Sequence, residues 1–217
     1  MGFFRKQPGV VAFTTIEVAG VAAWLALVLG VVPLSPGAYG VGVTAAHIGL
    51  GVLFVSLIFK HVLADVTVNG IRMRNVSPSM LVVAGTETAL WALWLYLALT
   101  VGGLAGIAVA GVSFALLLVP QHSIEDDVLR GRSQFSRLLD YWTLSVVEAL
   151  GATAVLALLS YPALFASLGP TSGFSPWAFG VGLLAAFLYV EHSAGVWFVV
   201  QSENEPSEPR DESAVVQ

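Results

Sequence analysis

The chain contains no cysteine. Disulfides, thiolate metal sites, iron–sulfur clusters and covalently attached c-type haem are therefore excluded. Charge is scarce as well: Asp, Glu, Lys and Arg make up 11% of the 217 residues, with a net balance of −5. So few basic residues leave no broad cationic surface, and nucleic acid is not an expected partner. Catalytic signatures are missing too. There is no His-Glu-x-x-His helix, no Gly-x-Ser-x-Gly nucleophile turn and no glycine-rich phosphate loop. Glu125-Asp126-Asp127 is too short and unspecific an acidic run to read as a Mg²⁺ motif. An enzyme is the less expected class.

What fills the chain instead is apolar: 57% of residues are hydrophobic, and the mean hydropathy is +0.84. A membrane-spanning helix needs about 20 apolar residues. Six runs qualify, at about 9–33, 41–64, 79–101, 103–122, 141–164 and 176–201. The expectation is an all-α integral membrane protein with one domain over residues 1–201, and no room for a soluble catalytic unit. Residues 202–217 are polar, acidic and proline-bearing, and read as a disordered cytoplasmic tail. The lipid bilayer is the expected environment, with the plasma membrane as location and a homo-oligomer or membrane complex as the assembly. Between the fourth and fifth runs, residues 123–140 alternate charge with Ile124, Val128, Leu129, Phe135, Leu138 and Leu139. That stretch reads either as a short interfacial helix or as a solvated loop.

Orientation follows from the basic residues. Arg5 and Lys6 precede the first run; Lys60, Arg72 and Arg74 flank the second connection; Arg130, Arg132 and Arg137 the fourth; Arg210 lies in the tail. The connections at about 34–40, 101–106 and 165–175 carry no charge. The positive-inside rule then makes both termini cytoplasmic. The apolar stretch after Met-Gly-Phe-Phe-Arg-Lys is too long for a cleaved signal peptide and no small-residue cleavage site closes it. Nor does that start carry the Ser or Thr of a myristoylation signal.

Three glutamates, Glu17, Glu87 and Glu148, sit at matching places in the odd-numbered runs, and three histidines, His61, His122 and His192, near the ends of the even-numbered ones. Aligned on the glutamates, leucine recurs eight and ten residues later: Leu25 and Leu27, Leu95 and Leu97, Leu156 and Leu158. Gly20 matches Gly151, Trp24 matches Trp94, and Pro8 matches Pro78 as a helix-start signal. Glutamate and histidine are 44, 35 and 44 residues apart in the three cases. The pattern suggests three repeated helical hairpins, at about 8–65, 78–126 and 139–201. Internal repeats are frequent in transporter folds, with sites where the repeats meet.

A carboxylate in hydrocarbon is costly and normally faces the bundle interior with a partner or a task. Carboxylate and imidazole together suit zinc, manganese or iron(II), and equally a proton relay. Asp65 and Asp126 stand four residues after His61 and His122, on the same helix face. They are candidate further ligands at the inner mouth. Val196 breaks this pattern in the third hairpin, where Glu191 instead precedes His192. Trp24 and Trp94 share the glutamate face of their helices, as packing anchors or as residues closing a pore.

A different chemistry attaches to His47. It stands fourteen residues before His61 on the same run, about 21 Å along a helix. This spacing resembles the histidine pairs of b-type cytochromes, which hold two haems stacked across a membrane. The resemblance covers one helix only, since no other run has two histidines. It implies at most one haem b, between His61 and either His122 or His192. Three classes thus stay open from the sequence. One binds or conducts a small cation, a divalent transition metal or a proton, through Glu17, Glu87, Glu148, His61, His122, His192, Asp65 and Asp126. One is a haem-binding redox subunit. The third is a non-catalytic subunit whose polar groups only hold helices together.

Overall fold

The computed structural model describes residues 3–31, 44–71, 77–130, 138–161, 163 and 175–204. Six helices account for nearly all of them: α1 Phe3–Val28, α2 Ala45–Asn69, α3 Pro78–Val101, α4 Gly103–Arg130, α5 Leu138–Ser160 and α6 Pro176–Asn204. Each is long and apolar enough to cross a membrane. No strand occurs among the described residues. The tail beyond Asn204, and residues 131–137 of the connection between α4 and α5, lie outside them.

The helices form a closed ring. Hairpins α1–α2, α3–α4 and α5–α6 pack internally, and α2–α3, α4–α5 and α6–α1 join them. Lys6 donates to the Val68 carbonyl at 3.2 Å and Tyr189 to Gln7 Oε1 at 2.8 Å. These contacts gather the start of α1, the end of α2 and the middle of α6 toward one end of the bundle, here termed the terminal end.

Small residues let neighbouring backbones approach. A Cβ on Gly20 would stand 2.4 Å from Ser56 Cβ across α1–α2, and one on Gly151 would stand 2.6 Å from Phe187 Cβ across α5–α6. These two glycines occupy the same place relative to Glu17 and Glu148. Replacing Gly151 by leucine is expected to cost about 1–3 kcal/mol through overpacking, seen as a lower melting temperature in detergent. Gly182→Leu is the control, because a Cβ there meets nothing within 4 Å.

Several helix boundaries differ from the sequence reading. Helix α1 starts at Phe3, so Pro8 lies inside it. Of the two matched prolines, Pro78 alone stands at a helix start, after the N-cap Ser77. Proline lacks an N–H, and its cost is small near an exposed end where water can hydrate the freed carbonyl. Helix α4 does not stop near residue 122 but runs to Arg130. Its extra turns carry Glu125 to His61 and Asp126 to Tyr141, so residues 123–130 are neither a separate interfacial helix nor a loop. Helix α2 starts at Ala45, capped by Thr44, rather than near residue 41.

The interior divides into two levels. Away from the terminal end, Trp24, Trp91, Trp94 and Phe114 form a packed aromatic plug, each no more than 2% exposed. Ring centroids are 6.5 Å apart for Trp24–Trp91, 5.6 Å for Trp91–Trp94 and 4.8 Å for Trp91–Phe114. Trp24 and Trp94 thus serve as core packing. Below the plug, the interior is polar. Outward faces are apolar, with Phe59, Leu104, Val112 and Leu150 all exposed, as lipid contact demands.

Candidate metal centre

Every helix sends at least one ionisable side chain inward at the same level. Glu17, Glu87 and Glu148 lie about 21, 14 and 15 Å along α1, α3 and α5, at 1.5 Å per residue. All three are almost fully buried, as are His61, His122 and His192. Each imidazole meets the glutamate of the next hairpin round the ring. His61 Nε2 is 2.7 Å from Glu87 Oε2, His122 Nε2 is 3.4 Å from Glu148 Oε2, and His192 Nε2 is 3.0 Å from Glu17 Oε2.

The second ring nitrogen is held as well. His192 Nδ1 is 2.7 Å from Thr14 Oγ1, and His122 Nδ1 is 3.0 Å from Ser145 Oγ. Thr14 and Ser145 stand three residues before Glu17 and Glu148, so one helix face grips both nitrogens of one imidazole. The middle hairpin has Ala84 at that place, and there His61 Nδ1 meets Glu125 Oε1 at 3.1 Å. Outer contacts of this kind fix the orientation of a histidine ligand.

Five participants escape a reading of the sequence. Thr14 and Ser145 are ordinary residues of apolar helices. Glu125 looks like part of a charged loop until α4 is seen to continue through it. Glu191 is visible as the neighbour of His192 but has no counterpart in the other hairpins. Lys60 reads as a basic residue at the membrane edge, yet it is 5% exposed. It donates to Glu87 Oε1 at 2.7 Å and lies 3.5 Å from Glu17 Oε2. A signal for it does exist: the residue before each histidine is polar, as Lys60, Gln121 and Glu191, and all three are buried. Gln121 is used structurally, donating to the Val83 carbonyl and accepting from Thr86.

The remaining candidates hold further contacts. Asp65 accepts from Asn69 at 2.7 Å, and Asp126 from Tyr141 at 2.8 Å. His47 is exposed at the start of α2, where Thr44 and His47 cap the helix reciprocally, with 2.7 Å between Thr44 Oγ1 and His47 Nδ1. It plays the part usually taken by Glu or Gln in a capping box.

Two groups of three ligand atoms converge within 4.8 Å among the described residues: Glu17, Glu87 and Glu148, and His122, Glu148 and Glu191. Glu148 belongs to both. Its Oε2 faces His122, while its Oε1 is buried without a hydrogen-bond partner, as is Glu17 Oε1. His192 Nε2 adds a nitrogen 3.1 Å from Glu191 Oε2.

Charge is not balanced inside the ring. Glu17, Glu87, Glu125, Glu148 and Glu191 face one lysine and three histidines. Even with every imidazole protonated, acids outnumber bases by one. Uncompensated buried charge is expensive, so the ring calls for protons or a cation. Between it and the terminal end lies a cavity of about 100 Å³, reached by Lys60, His122, Glu125, Asp126, Glu191 and His192. At ~30 Å³ per molecule that is room for about three waters. The buried Glu/His groups have the donor chemistry to hold a metal ion. Comparison with protein-family models, curated proteins and solved structures finds no match to the chain.

Proposed function

We propose that the chain is a membrane protein that binds a divalent transition metal at His122, Glu148 and Glu191, near the middle of the bilayer, and exchanges it with the cytoplasmic side. The observation that carries this reading is a pair of distances. His122 Nε2 stands 3.4 Å from Glu148 Oε2 and 3.6 Å from Glu191 Oε1. Hydrogen bonds from nitrogen to oxygen span about 2.7–3.2 Å. Tetrahedral ligands about 2.1 Å from a zinc ion stand roughly 3.4 Å from one another. His122 is therefore spaced from both carboxylates for a shared ion better than for direct bonding, and the ligand atoms of all three residues lie within 4.8 Å of one another. One nitrogen with two carboxylates suits zinc, manganese or iron(II).

Access from the cytoplasmic side is supported by the cavity at the terminal end, the aromatic plug opposite, and the absence of Lys and Arg from the sequence of the connections at the other end. Three repeated hairpins are supported by the recurring imidazole–glutamate contact and by Gly20 and Gly151. A proton relay is a second reading. It is favoured by two runs of close contacts, Thr14–His192–Glu17 and Lys60–Glu87–His61–Glu125, which approach each other at 3.5 Å between Lys60 and Glu17. A macrocycle has less support. The cavity is smaller than the roughly 300–1,000 Å³ of a drug-sized ligand site, and His47 is spent on capping.

The test is metal analysis of the purified chain in detergent. About one Zn²⁺ or Mn²⁺ per chain is expected after loading and gel filtration. Ser145→Ala, which frees His122 Nδ1, is expected to weaken that binding about 10–100-fold. A chain that binds no metal while its vesicles still conduct protons would overturn the metal reading in favour of the relay.

A further inference from the structure

Lys60 is an unusual cation to find in this place. Its Nζ is 2.7 Å from Glu87 Oε1 and 3.5 Å from Glu17 Oε2. Those two carboxylates and Glu148 are themselves a convergent ligand group. The donors are all oxygen, the chemistry that suits manganese, magnesium or calcium. The lysine reaches this group from α2, while the three glutamates come from α1, α3 and α5. A lysine in a lipid-spanning helix is costly unless it has acidic partners, and here it has two. The other hairpins place Gln121 and Glu191 where Lys60 stands, and neither brings a positive charge.

We infer that the side chain of Lys60 is a tethered cation filling a second, all-carboxylate ion site, so that the ring takes one free metal ion rather than two. The inference rests on the cation reading above and adds its stoichiometry and selectivity. The lysine holds Glu17 and Glu87 together without a free ion. It leaves the His122 side of the ring as the place for exchange. Glu148, common to both groups, is then the residue through which the fixed charge of Lys60 acts on the exchangeable ion. The class of ligand that the vacated group would take is a divalent cation with a preference for oxygen.

The experiment uses the full chain in detergent and MnCl₂ as probe, with bound manganese counted by equilibrium dialysis and elemental analysis. The wild-type chain is expected to bind one Mn²⁺. Lys60→Met keeps the length and removes the charge, and is expected to bind two. Lys60→Arg and the double variant Lys60→Met with Glu87→Gln are expected to return to one. Two ions in Lys60→Met are also expected to sit close enough to broaden each other's electron paramagnetic resonance signal.

One ion in both wild type and Lys60→Met would overturn the inference and leave the His122 site standing. None in wild type but one in Lys60→Met would support the tethered cation and remove the His122 site. None in either chain removes both. If Lys60→Met folds only when Mn²⁺ is present, the vacated group takes a cation as inferred. If it stays unfolded with and without Mn²⁺, the group takes none and the inference fails.

Discussion

Glu148→Gln is expected to abolish metal binding at the ring. The loss in affinity should exceed about 100-fold, above the 10–100-fold typical when only an outer partner of a ligand is removed. Glu148 earns this prediction by position. It is the one carboxylate common to both convergent groups. One of its oxygens stands 3.4 Å from His122 Nε2, and the other is buried with no hydrogen-bond partner. An amide keeps the shape, donates where an acceptor is needed and removes the charge. Competition with a fluorescent chelator measures the change. Retention of wild-type affinity would place the metal elsewhere. Glu191→Gln is a useful companion, since it tests the second oxygen of the same set without touching the Lys60 side of the ring.

The largest stability effect should come from Glu87. Its two oxygens meet Lys60 and His61, both at 2.7 Å. Glu87→Gln leaves Lys60 with Glu17, at 3.5 Å, as its remaining carboxylate within 4 Å among the described residues. Breaking a buried ion pair by removing one partner costs about 3–5 kcal/mol, and an isosteric amide that can still accept places the expected loss near 3. Unfolding of the solubilised chain, followed by far-UV circular dichroism, reads it. A cycle with Lys60→Met, measured in chelator, should depart from additivity by more than about 1 kcal/mol, because the two residues share one contact. Additive losses would mean that Lys60 and Glu87 are neighbours without being energetic partners.

The spans were legible because hydropathy over about 20 residues is a strong signal. The polar ring was partly legible for a related reason: an acid in an apolar run stands out against its surroundings. Partnerships were not legible. His61 meets Glu87, not Glu17 of its own hairpin, and spacing along the chain does not encode which neighbour a helix turns toward. Lys60 was hidden by its likeness to a membrane-edge basic residue; only Glu17 and Glu87, on two other helices, explain its burial. Glu125 was hidden because an acidic run that ends a span looks the same as sequence whether the helix stops or continues. Thr14 and Ser145 were hidden because hydroxyls are ordinary in such helices, and only the offset of three from the glutamates marks them.

No hairpin pairs its own histidine with its own Glu17, Glu87 or Glu148. His192 finds Glu17 only when the last helix lies beside the first. A chain that holds only the first five helices would therefore leave Glu17 without its imidazole and the set around His122 without Glu191. Closure of the ring and completion of the cluster are one event, so a nascent chain halted before α6 has the spans but not the chemistry.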